Sequence, residues 1–242
     1  MQQDKARARR RGGKNAGGRP RKLSQEAILE AAEELIRQEG TAALTLRSLG
    51  ARLGVQAPTL YTYFRNLQEI EEGALGRIFG ALPVPTLQRP QPLAEQLLDM
   101  FMAVRELQIR SPGALMGSPG SAAWHWEIRV VNGLVKTFSE IGVEDFRTLV
   151  AYRALLGLTA VDAKAERTAD RSEEEALLAT MPASEAGYIQ RLFGNLAGWL
   201  RLSPEDRFRQ TFMFLAEQLL PQLFGRDTKP AATGTRGKGS KH

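Results

Sequence analysis

At 242 residues, with 33 Lys and Arg against 27 Asp and Glu for a net charge of +6, the chain can hold one small and one medium domain around an ordinary buried core. It has no Cys, which excludes disulfides, thiolate metal sites and thiol redox sensing and suits a reducing cytoplasm. No N-terminal segment joins a charged stretch to an apolar one as a signal peptide would, and the most apolar stretch, Phe212 to Phe224, is broken by Glu217 and Pro221. A soluble protein with no membrane partner is expected.

The charge is unevenly placed. Residues 1–22 hold nine Lys or Arg against Asp4, a net +8, and residues 226–242 hold five against Asp227, a net +4, so the body between them carries −6. Both ends are too poor in apolar residues to bury a core and are expected to be disordered basic tails. Residues 1–16 read either as a solubilising tail with generic phosphate affinity or as part of a DNA-binding arm. Arg19, Arg21 and Lys22 adjoin the first helix and can reach phosphates or a minor groove.

From Leu23 the pattern becomes helical. Ser24 is the expected N-cap, Leu23 and Ile28 form a hydrophobic staple, and Ile28, Ala32, Leu35 and Ile36 make an inner stripe that Gly40 ends. Leu46, Leu49 and Leu53 predict a second, short helix with Thr45 as its cap. Gly54 can adopt the left-handed conformation that closes it. Val55 plugs the angle, Pro58 suits the first turn of a very short third helix, and Leu60 and Phe64 point inward. Gln56, Ala57, Pro58, Thr59, Tyr61 and Thr62 are left mostly outside. A solvated face is usually rich in Lys and Glu, and this one is not. Gln can bond adenine bidentately, and Ala, Pro or a Thr methyl can pack on a thymine methyl, so the face suits base edges. Residues 23–67 thus read as a helix-turn-helix DNA-binding domain. Its own charge is near neutral, so attraction to phosphate must come largely from the tail.

The run TLRSLGARLGVQAPTLYTYFRNL from Thr45 to Leu67 resembles the DNA-binding domain of the tetracycline-repressor (TetR) family, whose pattern is Thr, a spaced Arg, a Gly-Val turn and then Leu-Tyr-x-His-Phe. It departs from that pattern at Gly50, usually Ala, at Tyr63, often His, and at Leu67, usually a phosphate-binding Lys. The resemblance implies DNA contacts from Thr45, Arg47, Gln56, Ala57, Pro58, Thr59, Tyr61 and Tyr63, with both tyrosine hydroxyls on phosphates and Arg19, Arg21 and Lys22 adding an arm.

Asn66 and Glu69 look like a capping box for a fourth helix, with Ile70, Ala74, Leu75, Ile78 and Phe79 inside. Gly73 and Gly76 within it either pack closely or soften a relay. Pro83, Pro85, Pro90 and Pro92 mark a boundary, so residues 68–92 read as a connecting helix and a Pro-rich linker. Residues 93–225 read as helices only: Leu93–Arg110, a loop over Ser111–Ser121, Ala122–Ile141, Glu144–Lys164, an aperiodic acidic stretch at 166–175, Glu185–Leu200, and a last helix from Pro204 behind its cap Ser203. The expected fold class is all-α: a three-helix DNA-binding domain followed by a helical bundle.

The resemblance implies that this bundle binds a ligand and forms a homodimer through a four-helix interface. The candidates are Glu144–Lys164, with small Ala154, Gly157 and Ala160, and Pro204–Leu223. Pairing would set two recognition helices about 34–36 Å apart, on successive major grooves of a two-fold site. Met100, Phe101, Arg105, Trp124, Trp126 and Asn132 are the candidate pocket, although large aromatics with a few polar groups also build cores. Asp99, Arg105, Arg153 and Asp162, charges on otherwise apolar helices, either line a pocket or pair with one another, and pairing is the stronger expectation. His125 is the one histidine before the last residue, so neither a multi-His metal site nor the family's magnesium-tetracycline pocket is expected, and no cofactor. With no Cys, no second internal His, no Gly-rich phosphate loop and no G-x-S-x-G, no enzyme is expected either. The expected function is sequence-specific regulation of transcription by a cytoplasmic protein, nucleoid-associated when bound: a repressor released from a two-fold DNA operator by a small-molecule effector. The alternative is a ligand-independent architectural DNA-binding protein, supported by the basic ends.

Overall fold

The computed structural model describes residues 23–115, 117–168, 198–199 and 201–225, and among these every regular element is helical. Helix α1 (Gln25–Glu39) starts at Ser24, whose hydroxyl accepts from Ala27 N at 3.2 Å, and stops at Gly40, where φ is +85°. Helix α2 (Leu46–Leu53) starts in a capping box: Thr45 Oγ1 accepts from Ser48 N, and Ser48 Oγ accepts in return from Thr45 N, each at 3.0 Å. Gly54, at φ +69°, closes α2, and Val55 N donates back to Gly50 O at 2.9 Å. Helix α3 (Ala57–Leu60) is one turn long, with Gln56 at its N-cap and Pro58 where a missing N–H costs nothing. Helix α4 (Leu67–Ala81) is capped by Asn66, which accepts from Glu69 N at 2.8 Å. The reciprocal half of the expected box is displaced by one residue, the Glu69 carboxylate accepting from Arg65 N at 2.7 Å instead.

Helices α5 (Leu93–Arg110), α6 (Ala122–Ser139), α7 (Asp145–Thr168) and α8 (Pro204–Leu219) form the larger body, and a 3-10 turn at Pro221–Phe224 follows. Two outcomes differ from expectation. Helix α7 runs through Thr168, and so takes the start of the stretch read as aperiodic. The reason is a partner that sequence distance hides: Glu166, in the last turns of α7, pairs with Arg105 on α5. Helix α6 stops at Ser139 rather than Ile141, ahead of Gly142 at φ +82°. The expected helix at Glu185–Leu200 lies outside the described residues apart from 198–199.

One apolar cluster runs through the whole molecule, from Ile28, Ile36, Leu49 and Leu60 to Phe101, Val130, Leu155 and Phe212. Helix α4 is shared between its two ends. On one side a Cβ at Gly73 would come within 2.7 Å of Leu29 Cδ2 on α1, so Gly73 is a packing glycine. On the other side Phe79 stacks on Trp126 of α6, with ring centroids 5.4 Å apart. The Pro-rich linker is packed down by buried Gln96, which accepts from Thr86 N at 2.9 Å and donates to Thr86 O at 3.0 Å and Gln91 O at 2.7 Å. Among the described residues no helix is long and apolar enough to cross a membrane.

Candidate nucleic-acid interface and regulatory core

The interface is built from one turn of helix and what holds it. Leu60 is fully buried and Phe64 nearly so, which pins α3 to α1 and α4 and leaves Gln56, Pro58, Thr59, Tyr61 and Thr62 exposed and Ala57 half-buried. Tyr61 is 55% exposed, a large apolar ring held in solvent without cover in this chain. The face carries no charge. Gly50 explains how α3 lies so close to α2: a Cβ there would meet the Val55 carbonyl oxygen at 2.8 Å.

Two expected contacts are placed differently. Tyr63 is half-buried and its hydroxyl donates to the Leu23 carbonyl at 3.2 Å, while Gln25 Nε2 donates to the Tyr63 carbonyl at 2.9 Å. Tyr63 therefore ties the end of the recognition turn to the start of α1, and its hydroxyl is not pointed at solvent as Tyr61 is. The Thr45 hydroxyl is likewise engaged, in the cap of α2. Among the basic residues, Arg52 is held by Glu34 at 3.0 Å and Gln38 at 3.1 Å, whereas Arg47 and Arg65 are exposed and make no ion pair among the described residues. Sequence reading passed over Arg65; its place two residues before Leu67, the position where the expected lysine is missing, was the available signal. Arg19, Arg21 and Lys22 lie outside the described residues.

The expected pocket residues do not converge on one cavity. Met100 and Phe101 are fully buried in the core, Phe101 between Tyr152 (6.1 Å) and Phe212 (5.2 Å). Trp126 is buried against Phe79. Trp124 and Asn132 are exposed, because on α6 they fall on the opposite side of the helix from Ala123, Trp126 and Val130. Arg105 is buried but its charge is taken: it donates to Asp162 at 2.6 Å and to Glu166, and lies 5.3 Å from the Phe208 ring centroid. Burial alone would push its pKa down, and the two carboxylates outweigh that and push it up. Arg153 pairs with Glu127 at 3.0 Å and Asp99 accepts from Gln91 at 2.8 Å, so charges on these helices are paired or hydrogen-bonded as the sequence suggests. Among the described residues no group of three or more His, Asp or Glu could hold a metal.

Three polar contacts join the DNA-side helices to the body, and none was visible in the sequence. Arg110 Nη1 donates to Arg37 O at 2.6 Å and Thr41 N donates to Ser111 Oγ at 3.0 Å, locking the end of α1 to the end of α5. Arg129 donates to Phe79 O at 3.0 Å, and Ala122 N donates to Glu72 at 2.8 Å, joining α6 to α4. Within the DNA-side unit, Arg77 on α4 bonds both Glu33 (2.7 Å) and Glu26 on α1. Burial pushes the Glu33 carboxyl up, but the bonds from Arg77 and Arg37 outweigh it and hold Glu33 below its usual range.

An uncharged helix presented by a tight glycine-closed turn, braced by a long helix on each side and followed by a helical body, defines a helix-turn-helix protein of the bacterial regulator class. Residues 28–71 match the sequence model described as bacterial regulatory proteins, tetR family. The class C tetracycline repressor of Escherichia coli is 49% identical over 45 residues, which are 19% of this chain and 20% of the repressor. An uncharacterised helix-turn-helix regulator of Mycobacterium tuberculosis is 34% identical over 76 residues, 26% of this chain and 35% of that protein. The chain thus spans a fifth to about a third of the curated relatives it matches. Apo ActR of Streptomyces coelicolor shares the fold, with a TM-score of 0.60 at 20% identity, over 84% of this chain and 97% of ActR. The N-terminal unit is therefore a tetR-family helix-turn-helix domain, and the fold of the chain as a whole is the one these tetR-type regulators share.

Proposed function

We propose that the chain is a homodimeric, sequence-specific DNA-binding repressor of transcription that a small-molecule effector releases from a two-fold operator. The observation that carries the reading is the outward face of α3, where Gln56, Pro58, Thr59, Tyr61 and Thr62 offer amide, hydroxyl and methyl groups to base edges and no charge. Arg47 and Arg65, both exposed and unpaired among the described residues, supply phosphate contacts beside it, Arg65 in place of the lysine missing at Leu67. Tyr61 takes the remaining tyrosine role, and Arg19, Arg21 and Lys22 extend the footprint as an arm.

The second copy is supported by an apolar face without cover. Phe146, Val150 and Val161 on α7 are exposed along one side, and Phe214 is exposed on α8. Large apolar groups grouped on two neighbouring helices mark an interaction surface, and these are the two helices the dimer requires. Release follows as a population shift. An effector that binds better to the conformer with misplaced recognition helices lowers operator affinity by that difference in binding free energy. The ActR structure with (S)-DNPA shows that a protein of this fold holds a small molecule.

The test is selection of binding sites from random duplexes by the purified dimer. A two-fold consensus with half-sites about one helical turn apart is expected. Deleting residues 1–16 should keep that consensus and reduce the salt slope by about 0.9 per lost phosphate contact. Loss of all sequence preference on the same deletion would instead establish the architectural reading.

A further inference from the structure

A cleft of about 360 Å³ opens between α5, α6, α7 and the loop before α6, walled by Gln108, Leu115, Glu127, Arg153, Leu156 and Ala160. Its size falls at the lower end of small-molecule sites, about 300–1,000 Å³. None of the residues expected to form a pocket lines it. Three features of its surroundings say what it would hold. Arg153 donates to Glu127 at 3.0 Å, so the two charges in its wall cancel and the cleft favours neither cation nor anion. The remaining wall is mostly aliphatic, and the side-chain amide of Gln108, nearly buried, has no hydrogen bond among the described residues. Next to Arg153 on α7, Tyr152 is 2% exposed and its hydroxyl has no hydrogen-bond partner.

A buried donor without an acceptor is costly and rare, and so calls for an explanation. The Tyr152 phenol lies close enough to Glu127 and Arg153 to feel both charges. Burial, then Glu127, push its pKa well above the usual tyrosine range against the opposing pull of Arg153, so the hydroxyl keeps its proton throughout the physiological pH range. It can donate and has nothing in the chain to donate to. Its ring is already held against Phe101, so the hydroxyl is presented at a fixed place.

We infer that this cleft is the effector site and that the effector is an uncharged ring compound carrying an acceptor oxygen, a ketone, lactone or quinone, which takes the hydrogen bond of Tyr152. The inference rests on the ligand-responsive reading and names the ligand class and site. The cleft also has a route to the DNA side. Leu115 belongs to the loop that starts at Ser111, and Arg110 and Ser111 grip Arg37 O and Thr41 N at the end of α1. An occupant that displaces this loop loads that joint.

The experiment measures binding of coumarin, chromone and 1,4-naphthoquinone to the full chain by calorimetry, with naphthalene as the oxygen-free ring and 2-naphthoate as the anion. At least one of the carbonyl compounds should bind about tenfold more tightly than naphthalene, and Tyr152→Phe, which keeps the ring and removes only the donor, should erase about that tenfold. Ala160→Phe, which fills the cleft from its wall, should abolish binding while the dimer persists in sedimentation. The inference is overturned if no carbonyl compound binds, if 2-naphthoate binds best, or if Tyr152→Phe alters the melting temperature alone and leaves affinity unchanged. Failure to select a DNA consensus would sink the regulator reading separately, since binding in the cleft is read without DNA.

Discussion

Gln56 has two jobs at one position: its backbone caps α3 and its side chain, exposed beside Pro58 and Thr59, is free for a base. Gln56→Ala should therefore relax selectivity at a single base pair and cost about 1–3 kcal/mol on the selected operator, measured by titration on matched and substituted duplexes. An equal loss on random DNA would show a backbone contact instead. Glu71, on α4, makes a different prediction. It lines a hollow with Glu72, Thr41 and Pro112, and burial, then Glu72, raise its pKa above the usual 4.5. A carboxyl whose folded pKa is raised binds its proton more tightly in the native state. It therefore favours folding at low pH, and that contribution is lost as pH rises from the unfolded value through the folded one. Glu71→Gln should raise the melting temperature at pH 7 and leave it nearly unchanged at pH 3, where the wild-type carboxyl is already protonated.

The helices were set largely by their ends. Ser24, Thr45, Asn66 and Ser203 each accept from the backbone two or three positions on, and the caps expected from the sequence are the caps observed. What the sequence could not show is where one helix end meets another. At Gly40 the chain turns with φ +85°, and a Cβ would lie 2.1 Å from the Arg110 carbonyl oxygen, backbone that cannot give way cheaply. Gly40→Ala should cost about 1–3 kcal/mol from conformation alone. It should also loosen the α1–α5 joint, lowering both the urea midpoint and operator affinity. A stability loss with operator affinity and effector response intact would show that the joint transmits nothing. Gly76, by contrast, has only Ala122 Cβ near, at 3.9 Å, so close packing does not account for it as it does for Gly73.

For the whole molecule the decisive feature is the apolar side of α7 and α8. Phe146 is 75% exposed, Val161 70% and Phe214 66%, on the two helices that dimerisation requires. Val161→Glu with Phe214→Glu should leave each chain folded by circular dichroism, because neither side chain belongs to the buried core. Sedimentation should then report a monomer, and affinity for a two-fold operator should collapse toward that of one half-site. A folded double variant that remains dimeric would place the interface elsewhere. In the dimer the cleft walled by Arg153 and Ala160 would border this interface, since its residues flank the exposed stripe on the same helix.

The local code carried far. Apolar spacing, caps and glycines placed α1 to α6 within a residue or two, and the run from Thr45 to Leu67 was enough to point to the recognition surface, because helix periodicity and capping act over three or four residues. Contacts between distant segments were decided only by the tertiary structure. Glu166 looked like part of a solvated acidic stretch until Arg105, 61 positions earlier, came within bonding distance of it. Tyr63 looked outward until its hydroxyl was seen on Leu23 O, and Trp124 and Trp126, two residues apart, part company because successive helical positions separated by two face opposite ways. A sequence states which residues can be buried; which buried donor is left without an acceptor, as Tyr152 is, depends on every neighbour at once.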